Sequence, residues 1–344
     1  MLLEGIFLPL TTPFHADGRL FLKKLEHNVE RYSRTPAAGL FVLGPGGEGE
    51  GLTDHEACEV LGTAIAGAGA AKVMVAGVGR ESVAATLALA EAAAAVGYDA
   101  VAVQAPELAR DSTMRLETVT YFQAVADRAA LPVVLVSAAA RELETDVVLE
   151  LAGHPQVIGV MDERAAERVE ELKARTAGVR RDVTVTPVFA AVTGRMLRQH
   201  AGSLVSAASL AGGGAAAVVP AAGPGLRTRV KSVGFQVLSG STTGMLAAWQ
   251  AGAVGAVPRL GAASPQACCE VYQAWKDGEP AVAEEKQLRV RAAALRMEGF
   301  GGAAWSKYGC DLNGYFGGRP RLPLLGLNGA QREELEREMS GLKS

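Results

Sequence analysis

The stretch VIGVMDER, Val157–Arg164, decides how the fold is read. Five mostly apolar residues, Val157 to Met161, run into Asp162, Glu163 and Arg164. A short apolar run that stops abruptly at charge suits a buried parallel strand whose last residues reach a polar rim. In a barrel of such strands, chemistry sits on the residues at that C-terminal edge. The edge residue here is Met161, a thioether with no acid–base or amine chemistry.

Outward from this stretch the same alternation repeats. Upstream, apolar runs of strand length fall at residues 5–10, 39–43, 72–77, 99–104 and 132–137. Helical patterns separate them at 20–34, 82–96, 114–130 and 146–152, and Thr53-Asp54-His55-Glu56 is a capping box opening another. Downstream, a charged helix at 165–175 precedes two further strands at 235–238 and 255–257. Eight β/α alternations predict an α/β fold, a (β/α)8 TIM barrel. A doubly wound open sheet would bring a GxGxxG turn after its first strand, where this chain has Thr11-Thr12-Pro13-Phe14.

Two regions exceed a minimal barrel. Helical patterns at 264–275, 281–298, 302–310 and 329–340 predict a C-terminal layer, which divides the chain into a barrel over 1–262 and a helical part over 263–344. Residues 178–233 form a Gly/Ala/Pro-rich insertion, about fifty residues longer than a barrel connection needs. Within it 183–192 (VTVTPVFAAV) reads as a strand of its own, and the remainder as a surface excursion: a lid, an interface or an ill-ordered insertion.

A formal charge of −3 carries no electrostatic footprint for nucleic acid or anionic membrane. Cys58, Cys268, Cys269 and Cys310 show no CxxC spacing and read as buried free thiols. The five histidines show no metal spacing, so neither metal nor cofactor is expected. Residues 201–226 are uncharged, but their Gly and Pro content and Ala-dominated apolar residues argue against a membrane span. MLLEGIFLPL lacks the pattern of a signal peptide, and the expectation is a soluble cytoplasmic protein.

Several motifs in order resemble the dihydrodipicolinate synthase / N-acetylneuraminate lyase family of class I aldolase-type lyases. They are residues 5–14, ending Thr12-Pro13-Phe14; Gly44-Pro45-Gly46-Gly47-Glu48 followed by Leu52-Thr53-Asp54-His55-Glu56; and Leu131-Pro132-Val133-Val134-Leu135. Val237-Leu238-Ser239-Gly240, residues 251–255 and the closing Asn313-Gly314-Tyr315-Phe316-Gly317-Gly318 with Leu322-Pro323-Leu324 complete the set. The resemblance implies a barrel, a homodimer or homotetramer, and a lysine at the end of strand six that forms an imine with a 2-oxo acid, usually pyruvate. It further implies a strand-five tyrosine that relays protons and a Thr-Thr loop that holds the carboxylate.

This sequence departs at each of those positions. The lysine position is Met161, the tyrosine position is Val136, the neighbouring asparagine position is Ser137, and the Thr-Thr pair is Pro45-Gly46. The turn after strand four, Ala105-Pro106-Glu107-Leu108, has no tyrosine. Of the nine lysines, Lys72 begins a strand, Lys231 lies in the insertion, and the rest fall on helices or the tail. None is placed to form the imine.

Other rim groups carry two readings each. Gly44, Gly46 and Gly47 form either a backbone nest for a carboxylate or a tight turn. Arg141 is either an anion receptor or a surface arginine. Ser239, Gly240 and Arg259, with Ser241-Thr242-Thr243-Gly244, form either a phosphate site or a hydroxyl-rich turn. Glu48, Asp162 and Glu163 are acid–base or cation-binding carboxylates, or helix caps. Three functions follow: a lyase or altered enzyme binding a small carboxylate or 2-oxo acid; an inactive paralogue serving as a ligand-binding or oligomer-partner subunit; and a phosphate-binding barrel enzyme.

Overall fold

The structure is a computed structural model that describes residues 1–44, 46–107, 112–201, 226–299 and 302–342. Its strands are β1 (Gly5–Pro9), β2 (Gly39–Val42), β3 (Val73–Gly77), β4 (Ala100–Gln104), β5 (Val133–Ser137), β6 (Val157–Asp162), β7 (Arg181–Val185), β8 (Arg229–Val233), β9 (Gln236–Ser239) and β10 (Gly255–Ala256). All but β7 and β8 close a parallel barrel in the order β1-β2-β3-β4-β5-β6-β9-β10. Burial of both faces of each strand explains the near-continuous apolar runs, and every residue of β5 and β6 is buried.

One irregularity decides what the mouth contains. Between β5 and β6 the register passes from Val133↔Val157 to Val134↔Gly159, so Ile158 is a bulged extra residue. Gly159 permits close approach to β9, since a Cβ there would lie 2.3 Å from the Gln236 carbonyl oxygen. Beyond the bulge Met161 faces the barrel interior, with Phe7 and Phe41 in the same apolar cluster. Val160 belongs to the outer cluster beneath the helices.

The barrel helices are α1 (Leu22–Ser33), α2 (Asp54–Gly67), α3 (Val83–Val96), α4 (Arg115–Ala126), α5 (Thr145–Ala152) and α6 (Ala165–Arg175). The insertion supplies α7 (Gly194–Ala201), and α8 (Met245–Gln250) lies between β9 and β10. The expected capping box is present: Thr53 Oγ1 accepts from the Glu56 N–H at 3.2 Å, and Glu56 Oε2 accepts from the Thr53 N–H at 3.0 Å. The C-terminal helices are α9 (Pro265–Lys276), α10 (Pro280–Glu298), α11 (Gly302–Leu312) and α12 (Gly329–Met339), within two residues of their sequence-read ends.

The described parts of the insertion lie on the barrel floor. Arg181 donates to the carbonyls of Ala152 and His154 at 2.9 and 2.8 Å, just before β6. Thr193 Oγ1 donates to the Ala70 carbonyl, and the Gly194 N–H to Asp99 Oδ1 at 3.0 Å, beside the starts of β3 and β4. Lys231 pairs with Glu4 at 3.0 Å, next to the start of β1. These are the N-terminal ends of the strands, so the lid expectation fails for the described residues. Nor is 183–192 one strand. After β7, which pairs antiparallel with β8, the chain turns through Pro187 and a left-handed Phe189 (φ 62°), and returns to bridge Val185 with Ala191.

Residues 202–225, most of the uncharged stretch, lie outside the described residues. Among those described, no helix is long and apolar enough to cross a membrane. The expectation of buried thiols holds for Cys268, Cys269 and Cys310 and fails for Cys58, which is exposed on α2.

Candidate active site

At the inner end of the mouth, Met161 pairs in register with Val136 on one side and Leu238 on the other. Met161 is fully buried, and Val136 and Leu238 are 3% exposed. The two positions that the resemblance gives to a lysine and a tyrosine are therefore adjacent, and both are filled by hydrocarbon or thioether. They pack into one cluster with Phe7, Phe41 and Val257.

The loop after β2 is wound tightly. The Gly47 N–H donates to the Gly44 carbonyl at 2.9 Å, and Thr12 Oγ1 donates to the Gly47 carbonyl at 2.6 Å. A Cβ on Gly44 would lie 2.8 Å from the Phe41 ring, and Gly46 has φ 84°. The Gly47 amide is therefore engaged within the turn itself. Pro45 lies outside the described residues. Leu43 (φ 56°) and Glu48 (φ 53°) also take left-handed backbone, at about 1–2 kcal/mol each.

Arg141 is not the freely exposed surface arginine of the second reading. Its guanidinium is mostly buried, 2.9 Å from Glu50, 3.2 Å from Glu107 and 3.6 Å from Glu81, and it donates to the Ala105 carbonyl at 3.1 Å. One arginine thus ties together the loops after β2, β3 and β4. Three partly exposed carboxylates thus surround this one buried guanidinium.

At the opposite corner most polar groups pair within the chain, while the buried Arg259 Nε has no hydrogen-bond partner among the described residues. Glu163 Oε1 lies 2.7 Å from the Arg259 guanidinium, and Glu163 Oε2 accepts from the Ala139 N–H at 2.7 Å. Ser239 Oγ donates to the Ser241 carbonyl at 2.9 Å, and the Gly240 N–H to the Asp162 carbonyl at 2.8 Å. The Glu298 carboxylate, at the end of α10, accepts from the N–H groups of Thr242 and Thr243. It also accepts from the hydroxyls of Ser241 at 3.2 Å and Thr243 at 2.8 Å. The donors that would face a phosphate face the chain's own carboxylate.

None of the three carboxylates read as caps accepts from the first turn of a helix; Asp162 instead closes a turn before α6 by accepting from the Arg164 N–H at 2.8 Å. It points away from the barrel interior, 2.8 Å from Arg168, and burial raises its pKa above the ordinary carboxylate value. Glu163 and Glu48 cap nothing, because the long-range cations Arg259 and Lys307 claim them.

Lys307 and Glu48 are the pair that sequence reasoning missed. Lys307 on α11 is completely buried, with Nζ 2.5 Å from Glu48 Oε1 and 4.3 Å from the centre of the Phe14 ring. Burial lowers the pKa of its ammonium, against the pull of Glu48. The one available signal was a lone lysine within the small, apolar run of GAAWSKYGCDL; nothing local names its partner. Among the described residues no group of three or more His, Cys, Asp or Glu side chains is arranged to hold a metal.

The fold and mouth define a (β/α)8-barrel protein with a C-terminal helical layer and a rim of internally paired charges. The chain matches the Dihydrodipicolinate synthetase family over residues 2–222, and it belongs to that family. It is 36% identical over 178 residues to a 4-hydroxy-tetrahydrodipicolinate synthase of Xanthomonas axonopodis pv. citri, a match covering 51% of this chain and 58% of that one. The chain thus spans little more than half the length of that relative. A 4-hydroxy-tetrahydrodipicolinate synthase of Acidiphilium cryptum is 26% identical over 345 residues, covering 98% of each chain. The fold is similar to that of YagE, a prophage protein of the dihydrodipicolinic acid synthase family from E. coli K12 solved with pyruvate. The TM-score is 0.77, with 21% identity over 99% of each chain.

Proposed function

We propose that this chain is a family member that forms no imine, and that it serves as a non-catalytic, oligomer-partner subunit. The observation that carries this reading is the adjacent, buried pair Met161 and Val136. Imine chemistry needs an amine in a desolvated pocket and a hydroxyl within hydrogen-bond reach to move protons. Both positions have become part of a hydrophobic cluster. Carboxylate binding is disfavoured as well, since Arg141 and Arg259 are already paired with glutamates and the Gly47 amide is engaged in its own turn.

Assembly is supported by apolar surface away from the mouth. Leu288 and Leu295 lie exposed seven residues apart on α10, and Leu322, Leu324 and Leu325 are exposed after α11. Surface of this kind favours burial against another subunit. We take the protein to be cytoplasmic, working without metal or cofactor. Light scattering on purified protein is expected to give a dimer or tetramer, and a monomer would overturn the subunit role. Pyruvate and other 2-oxo acids are expected to leave the melting temperature unchanged; a saturable rise would overturn the silent mouth.

A further inference from the structure

Two side chains in the loop after β2, Leu43 and Glu48, sit in left-handed backbone, and contacts from outside the loop must hold them there. The Glu48 side chain identifies those contacts. It is 4% exposed, and the C-terminal segment takes both of its oxygens: Oε1 through Lys307 Nζ at 2.5 Å, Oε2 through the Arg321 N–H at 2.8 Å. Lys307 Nζ also donates to the Arg319 carbonyl at 3.0 Å, joining α11 to the chain that follows it. Phe14, in the turn after β1, has Lys307 Nζ 4.3 Å and the Arg321 guanidinium 4.5 Å from its ring centre. Arg321 then binds Glu56 at the start of α2 and the carbonyls of Gly18 and Gly51.

We propose that residues 307–321 are a strap that fixes the mouth loops after β1 and β2, so that the C-terminal layer sets the shape of that side of the mouth. A buried ion pair adds little net stability over a hydrophobic replacement, yet removing one partner strands the other charge. Without Lys307 the Glu48 carboxylate keeps only the Arg321 N–H as partner, and movement of the loop toward water relieves that loss. The strap therefore acts through charge and position together. It requires no particular activity at the mouth.

Hydrogen exchange read by mass spectrometry tests this with Lys307→Met, Glu48→Gln/Lys307→Met and Arg321→Ala. In Lys307→Met, amides of residues 43–52 are expected to exchange at least about tenfold faster, with β4–β6 unchanged. The double variant, with both charges gone, is expected to recover most of that protection. The proposal is overturned if Lys307→Met leaves the loop at the wild-type rate, if β4–β6 loosen equally, or if the double variant is no better protected than the single. Should Lys307→Met fail to fold, Arg321→Ala decides alone. Faster exchange confined to residues 17–18 and 48–52 supports the strap, and an unchanged pattern overturns it.

Discussion

Met161 and Val136 pair in register, so the two positions share one buried environment. A lysine at Met161 would place its ammonium in the apolar cluster that holds Phe7 and Phe41, and a tyrosine at Val136 would place its ring there too. Met161→Lys is therefore expected to destabilise the protein by about 2–4 kcal/mol, read as a lower urea midpoint. Both changed positions were legible in the sequence. The packing of their neighbours was not, because Phe7 and Phe41 come from strands remote in the chain. At the rim, Glu56 gives a pH signature. Hydrogen bonds from Arg321 hold its carboxyl at about 2, against an ordinary 4.5. The folded-state pKa is depressed, so the contribution to stability is complete above pH 4.5 and is lost as pH falls towards 2. Denaturation midpoints measured across that window should fall more steeply for the wild type than for Glu56→Gln.

Among the elements, the barrel strands were legible because a parallel strand buried on both faces writes itself as a continuous apolar run. The helix α2 was legible from its capping box, which is a local pattern. The insertion was not, since its role depends on Arg181, Thr193 and Lys231 reaching strand starts far away in sequence. The same holds for Glu48, whose partner lies on α11, and for the loop after β9, whose donors meet a carboxylate from α10. That last contact has a measurable consequence. Glu298→Ala removes a charged acceptor from two amides and two hydroxyls, and is expected to cost about 1.5–3 kcal/mol in chemical denaturation. Arg141→Ala acts on exposed carboxylates and is expected to cost only about 1 kcal/mol, with the difference shrinking as salt is raised.

Across the whole molecule, additions meet the barrel at both ends: described residues of the insertion at the floor, and Glu298, Lys307 and Arg321 of the C-terminal part at the rim. A family member built this way keeps the scaffold while its mouth is filled with hydrocarbon inside and paired charge outside. The family was legible from ordered motifs, because those motifs fall at turns and strand ends whose local sequence is distinctive. The mouth's electrostatics were not, because Arg141 looks the same in sequence whether it faces a substrate or three glutamates. The central claim is that no lysine of this chain forms an imine with a 2-oxo acid. It is tested most directly by incubating the protein with pyruvate and borohydride and measuring the intact mass. The unmodified mass is expected, and a reduced pyruvate adduct mapped to Lys307, Lys231 or any other lysine would contradict an imine-free mouth.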